Sequence, residues 1–421
     1  MIDLKRARAD IQAYKEVIRL RNLNIDFDAF LTLEAEKNTI LQQIDELRNQ
    51  KNILSKEIPT VSVDMREAKI GESKKIGEQL TELEENAKVI EEKYTHILHR
   101  LPNFLDDTAA LGLSDEGNTP ESFFLEPTKF EFPIQTHWEL GEKHAWIDTE
   151  KGTEVAGARF WYIKWELALL NMAIIQYAIH FLSAKGFEFM IPPYMVKEAS
   201  LFGTGFLPAG EDGLYAVNPG EEDLYLIGTS EIPLTSYHMN EVIDVSVPKL
   251  YVGYSPCFRR EAGSYGKDMK WILRWHQFEK VEMVVFCKPE ASKDIHDMMV
   301  GIEEELWQSL KIPYQKVNIC SGDLGNPAMK KYDLEAWMPG QQKYREVTSC
   351  SNVGEFQSRR LAVKYVNEAG EKAFVHTLNG TVVALSRCLI AITENYQQAD
   401  GRVQIPEVLR PYMGWKTHIG K

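Results

Sequence analysis

Cysteine is scarce and scattered. The five that occur, Cys257, Cys287, Cys320, Cys350 and Cys388, are odd in number and never form a Cys-x-x-Cys pair. This is a poor disulfide framework and a poor zinc site, and it fits a reducing compartment. Neither a G-x-G-x-x-G fingerprint nor a G-x-x-x-x-G-K-[ST] loop occurs, so any ATP bound here is not held by a P-loop. Basic charge is in deficit: 48 Lys and Arg stand against 62 Asp and Glu, a net charge of −14. That excludes a protein coated in basic charge for sequence-blind nucleic-acid binding, but not a local patch that docks one folded RNA. The N-terminus mixes acids with bases and has no apolar h-region of a signal peptide. The most apolar long stretch, Leu167 to Leu182, is broken by Asn171, Gln176 and His180 and falls short of the roughly 20 apolar residues of a membrane span. These absences predict a soluble, cytoplasmic chain with no membrane segment. Its 421 residues are enough for two or three domains and a large core.

Glycine is missing before Gly71 and tryptophan before Trp138. What fills that region is helical. One apolar seam runs Phe30, Leu33, Lys37, Ile40, Ile44, Leu47, Lys51, Leu54, Ile58; a second runs Ile76, Leu80, Leu83, Ala87, Ile90, Tyr94, Ile97, Leu101. Strict alternation of 3 and 4 is a coiled-coil stripe. Pro59 ends the first helix, and Thr60 to Asp64 turn the chain back into an antiparallel hairpin, an arm of about 45–50 Å. A dimerisation element and a probe for a distant partner both fit it. Acids outnumber bases along it, and Lys37 and Lys51 weaken the pairing unless their heads snorkel out.

From about residue 106 the texture changes to mixed helix and strand. Leu105 to Pro127 reads as a linker. Leu224–Ile227, Leu250–Tyr254, Lys280–Phe286 and Gln315–Ile319 read as strands; Leu167–Ala184, Ser292–Leu310 and Ala384–Tyr396 read as helices. Strand runs separated by long irregular loops predict an antiparallel sheet rather than a βαβ repeat. One segment stands out. A strand ends in Phe258-Arg259-x-Glu261, a polar loop follows, and Arg274-Trp-His-Gln-Phe278 leads into a returning strand. An arginine at such a place suits phosphate, because its planar fork matches phosphate oxygens, and Phe278 can stack on a base. Glu282 lies between Val281 and Met283, so it faces the side opposite to theirs, toward the cleft.

Phe258-Arg259-x-Glu261 with Arg274 and Phe278 resembles motif 2 of class II aminoacyl-tRNA synthetases. Asn379-Gly-Thr-Val-Val-Ala-Leu-Ser-Arg387 resembles motif 3, and Gly186-Phe-Glu-Phe-Met-Ile-Pro-Pro193 resembles motif 1, a dimer element. Thr229-Ser230-Glu231, Glu346-Val-Thr-Ser349-Cys-Ser-Asn352 and the arm are more narrowly similar to seryl-tRNA synthetases, and the resemblance covers essentially the whole chain. It implies an α+β fold: an antiparallel coiled-coil hairpin over 1–105 that binds tRNA, then an aminoacylation domain over 106–421 with an antiparallel sheet flanked by helices. The implied activity is ATP-dependent serylation of tRNA(Ser), and of tRNA(Sec) where present, through a seryl-adenylate, by a homodimer. Arg259 and Arg387 are the implied catalytic residues. Implied ATP contacts are Arg259, Arg260, Glu261, Trp275, His276, Gln277, Phe278, Glu346, Val347, Thr348, Ser349 and Arg387. L-serine falls to Thr229, Ser230, Glu231, Arg259, Glu282 and Thr381, and Mg²⁺ to Glu346 and Ser349.

The chain departs from that pattern at Val382 and Ser386, where many bacterial members carry glycine, at Glu355, where aspartate is commoner, and at the large Trp275. Three tryptophans, Trp165, Trp271 and Trp415, stand where the family usually carries glycine, whereas Trp138 and Trp337 match its tryptophans. UGA codons read as glycine in the source organism would produce all three, and so would ordinary divergence. Two other readings compete with a working synthetase: a relative that charges a carrier protein or confers resistance to a seryl antibiotic, and a coiled-coil scaffold with a dead globular half. The complete set of Arg259, Glu261, Glu282, Glu346 and Arg387 argues against the scaffold. The full-length arm argues against the carrier.

Overall fold

The computed structural model describes residues 1–261 and 275–421, so Trp271 and Arg274 lie outside the described residues. The chain forms two compact units. One comprises Ile11–Arg19 with Leu23–Leu101, the other Met1–Asp10, Leu20–Asn22 and Pro102–Lys421.

The first unit is built on two long helices, α1 (Phe27–Glu57) and α2 (Val63–Leu98). The Asp26 carboxylate caps α1, accepting from the amides of Asp28 at 3.0 Å and Ala29 at 2.9 Å, which satisfies donors the helix itself leaves open. α1 stops short of Pro59, which has no amide hydrogen to extend the ladder. The turn occupies residues 58–62, slightly earlier than expected, and the helices span about 46 and 54 Å at 1.5 Å per residue. Ile40, Ile44 and Leu54 bury against Ile76, Leu80 and Ile90 along both seams. Lys37 resolves its awkward seam position as its chemistry allows: its Nζ reaches Glu91 at 2.7 Å and lies 4.3 Å from the centroid of the Tyr94 ring. The stem covers the seam and the charge leaves it. Lys51 is exposed.

The second unit holds an eight-stranded sheet: β1 (Thr119–Phe124), β2 (Glu188–Met190), β3 (Lys249–Phe258), β4 (Gln277–Cys287), β5 (Tyr314–Asn318), β6 (Lys330–Met338), β7 (Lys343–Gly354) and β8 (His376–Ala384). The spatial order is β1-β5-β6-β7-β8-β4-β3-β2. Every pairing is antiparallel except the edge pair β2–β3, which is parallel. The segment expected as a linker therefore contains an edge strand. β1 pairs with β5 from Thr119↔Asn318 to Phe124↔Tyr314, and its mostly exposed residues, polar at one end and with Phe123 and Phe124 adjacent at the other, carry no alternation to betray it.

Three helices matter for the site: α3 (Trp165–Ser183), α4 (Ser292–Ser309) and α5 (Leu385–Asn395). Leu170 and Ile174 from α3, Trp307 from α4 and Leu389 from α5 share one core with Val281, Met283 and Val285 of β4. At 19 residues and a mean hydropathy of 1.3, α3 is the one described helix that length and composition would let cross a membrane, longer than the sequence stretch suggested. In the fold its apolar positions Leu167, Leu170, Ile174, Ala178 and Leu182 are core residues. β4 sorts its side chains by period two: Val281, Met283 and Val285 enter the helix-covered core, while Phe278, Lys280 and Glu282 line the opposite face.

Candidate active site

The site is assembled where β3 ends, β4 begins and β7 and β8 run alongside. Chain exit and return are pinned by backbone. The Arg259 amide donates to the His276 carbonyl at 3.0 Å, and the His276 amide donates to the Arg159 carbonyl at 3.3 Å. Glu261 sits at φ 47°, a left-handed conformation uncommon outside glycine. Arg259 is held by its Nε, which donates to the Gly228 carbonyl at 3.3 Å, and its guanidinium carbon lies 5.3 Å from the Phe278 ring centroid.

Two cavities meet at this arginine. One, of about 320 Å³, is walled by Arg259, Glu261, Trp275, Phe278, Thr381, Arg387 and the run Glu346 to Ser349. The other, of about 380 Å³, is walled by Thr229, Glu231, Glu282, Asn379 and Lys331 among others. Arg259, Lys280 and Ser349 belong to both. The first cavity offers two aromatic side chains, two guanidinium groups and two carboxylates. Trp275 underlies it, stacked on Trp161 with ring centroids 5.5 Å apart, and its buried Nε1 has no partner among the described residues. Arg387 Nη1 donates to the Glu346 carbonyl at 2.6 Å and stands 3.3 Å from its carboxylate. Enclosure by protein works to raise the Glu346 carboxyl, although 45% of that side chain remains exposed to the cleft; the neighbouring Arg387 and Lys331 charges prevail and hold it below its ordinary value.

The second cavity is the richer in buried carboxylates, with Glu231 and Glu282 on its wall. Glu231 accepts from Gln357 Nε2 at 2.8 Å and Asn379 Nδ2 at 3.0 Å. Burial first, and then the Glu282 charge, push its carboxyl up to about 7. Thr381 faces Glu282 in the β8–β4 register, and its hydroxyl donates to Glu282 Oε2 at 2.8 Å. Behind them Glu303 of α4, its carboxyl raised well above the ordinary range by burial, accepts from Thr348 Oγ1 at 2.8 Å. A Cβ on Gly380 would come within 2.7 Å of Glu303 Oε1, which is why the residue between Asn379 and Thr381 has no side chain.

Of the residues singled out in the sequence, the structure gathers Arg259, Glu261, Trp275, Phe278, Glu346, Val347, Thr348, Ser349, Thr381 and Arg387 around one cavity and Thr229, Glu231 and Glu282 around its neighbour. Ser230, Arg260, His276 and Gln277 line neither. The Ser230 hydroxyl instead meets the Gly253 carbonyl at 3.4 Å, the Arg260 amide donates to the Gly213 carbonyl at 3.0 Å, and His276 Nδ1 lies 3.0 Å from the Arg259 carbonyl. Sequence reasoning passed over Lys280, Lys331 and Asn379. The alternation that assigned Glu282 to the cleft puts Lys280 there too, so that signal was available.

An antiparallel sheet carrying an arginine-bearing strand–loop–strand, with a second arginine at the start of a helix, is the arrangement of a class II aminoacyl-tRNA synthetase. The tRNA synthetase class II core domain (G, H, P, S and T) matches residues 215–396, and the seryl-tRNA synthetase N-terminal domain matches residues 1–105. The serine–tRNA ligase of Dictyoglomus turgidum is 41% identical over 419 residues, 98% of each chain. The crystal structure of seryl-tRNA synthetase from Pyrococcus horikoshii complexed with ATP superposes with a TM-score of 0.89 at 39% identity, covering 100% of this chain and 99% of that one. A cytoplasmic serine–tRNA ligase from Naegleria fowleri in complex with AMP gives 0.82 at 35% identity, covering 97% and 95%. The chain belongs to the seryl-tRNA synthetase family.

Proposed function

We propose that this chain attaches L-serine to tRNA in two steps at the paired cavities, and that Arg259, shared by both, is where the substrates meet. The supporting observation is that sharing: a cavity suited to a nucleotide and a cavity suited to a small zwitterion open onto one guanidinium group. In the first step a serine carboxylate oxygen attacks the α-phosphorus of ATP, the bond to the β-phosphate oxygen breaks, and pyrophosphate leaves. Arg259 neutralises charge on carboxylate and α-phosphate as they approach, Arg387 holds the γ-phosphate end, and Phe278 stacks on adenine. Such catalysis is positioning and charge stabilisation. In the second step the terminal ribose hydroxyl of tRNA takes the seryl group and AMP departs.

Glu231 and Thr229 receive the serine ammonium, and Glu282 with Thr381 pair its hydroxyl. A site that hydrogen-bonds a hydroxyl leaves its own polar groups unpaired with alanine or glycine, and so rejects them. Glu346, held ionised, and the Ser349 hydroxyl are hard oxygen donors in the nucleotide cavity. They fit Mg²⁺, which takes few protein ligands and keeps its waters; when bound it would offset phosphate charge. The acceptors in this reading are tRNA(Ser) and, where the cell makes it, tRNA(Sec), engaged by the arm of residues 1–105 while residues 106–421 carry the chemistry. The protein works in the cytoplasm without a membrane, as a homodimer. Leu169 and Met172 on α3, with Ile191 just beyond β2 in the motif 1 segment, are exposed at 56%, 48% and 69% and supply an apolar face for it.

Serine-dependent ATP–pyrophosphate exchange, followed by charging of tRNA, tests the reading. Arg259→Ala should cut exchange by about 10²–10³, the usual cost of losing a transition-state charge contact. Near-normal exchange in that variant would place the chemistry elsewhere.

A further inference from the structure

Lys280 is a cation buried inside the substrate cavities, 7% exposed, on the face of β4 that also presents Phe278 and Glu282. Its Nζ lies 2.6 Å from Glu282 Oε2 and donates to Thr381 Oγ1 at 3.1 Å, while Thr381 donates to Glu282 at 2.8 Å. The three groups close a triangle. Glu282, itself 2% exposed, thus has its negative charge met from within the protein. Glu231 is different: among the described residues its carboxylate accepts from the neutral amides of Gln357 and Asn379.

We infer that Lys280 determines specificity by making the Glu282 end of the pocket accept a neutral hydroxyl and refuse a cation, leaving Glu231 as the one place for a substrate ammonium. The inference rests on the reading of this cavity as the serine site and adds a residue and an excluded substrate class to it. The excluded class is the β-amino analogue of serine, L-2,3-diaminopropionate, which has nearly the same shape and differs by a charged ammonium where serine carries its hydroxyl. Size cannot separate two such molecules. A like charge facing the second ammonium can, because juxtaposed like charges suppress the wrong partner while the right one is unaffected. Remove Lys280 and Glu282 becomes an uncompensated buried carboxylate, which a substrate ammonium would satisfy.

The experiment is pyrophosphate exchange on the full chain with L-serine and with L-2,3-diaminopropionate, read as the ratio of kcat/KM for the two. The native protein should favour serine strongly. Lys280→Met should move the ratio toward the diamino acid by on the order of 10²-fold, the size expected when a charge clash becomes a charge pair. Lys280→Arg should keep the serine preference, and Lys280→Met/Glu282→Gln, which removes both charges, should reject the diamino acid again. Should Lys280→Met fail to fold, the native protein still decides. At neutral pH it should use serine and refuse the diamino acid, whose β-amine is the more basic of its two amines and stays protonated there. A folded Lys280→Met with the native ratio, or a native protein that uses both amino acids equally at neutral pH, overturns the inference. Absence of serine-dependent exchange in the native protein, or a Glu282→Gln variant with unchanged KM for serine, would instead overturn the assignment of the pocket.

Discussion

Trp165 and Trp415 adopt φ of 56° and 64°, and their side chains are 69% and 74% exposed. A bulky residue in the left-handed region pays about 1–2 kcal/mol that glycine does not, and neither indole buries enough surface to offset it. These are two of the three tryptophans at which the sequence resemblance implies glycine, and glycine adopts the backbone found at both without strain. We expect the gene to carry UGA at 165 and 415, decoded as glycine in its own cell; UGG at both would end that account. Trp165→Gly and Trp415→Gly should each stabilise the recombinant protein by about 0.5–1 kcal/mol in a denaturant melt, after the extra unfolded-state freedom of glycine is subtracted. At the same scale, Glu231 sets a pH dependence. Its carboxyl titrates near 7 in the folded protein, well above the ordinary carboxylate range, so the neutral form is favoured by folding. The associated stability is fully present below the unfolded pKa and is lost as pH rises through about 7. In the proposed reading binding runs the opposite way, because a serine ammonium at Glu231 needs the ionised form. The KM for serine should fall by about tenfold from pH 6 to pH 8, following a titration centred near 7, and Glu231→Gln should flatten that slope at a much higher KM.

Among elements, the arm and β4 show how far periodicity reaches. The 3-4 alternation located both helices of the arm and both buried seams, since a coiled-coil stripe is written in one local stretch of chain. Deleting Asp28–Leu101 should leave serine-dependent exchange in place and abolish tRNA charging, because the residues that wall both cavities lie outside the arm. Charging at the intact rate by the truncated protein would make the arm purely structural. β4 was equally legible. Its period of two put Glu282 in the cleft, and Lys280 by the same rule. β1 was not legible, because a mostly exposed edge strand without apolar–polar alternation carries no period to read and is marked out only by its pairing with β5.

For the whole molecule, the exposed Leu169, Met172 and Ile191 bear on assembly. Sedimentation at working concentration should give a dimer, and Leu169→Lys with Met172→Lys, which adds charge where a partner would exclude water, should shift it toward monomer. A native monomer would leave that apolar face without the partner proposed for it.

The amino-acid sequence by itself determined the helical arm, the strand–loop–strand around Arg259, the helix behind Arg387 and the family they mark, because each depends on neighbours within a few residues or on a motif read in order. Only the tertiary structure decided that Arg259, Lys280 and Ser349 face two cavities at once, and that Ser230, Arg260, His276 and Gln277 line neither. It also decided the protonation of Glu231, which depends on burial and on the charge of Glu282, a residue 51 positions along the chain. Distances between strands are fixed by pairing and packing, and no local pattern of residues contains them.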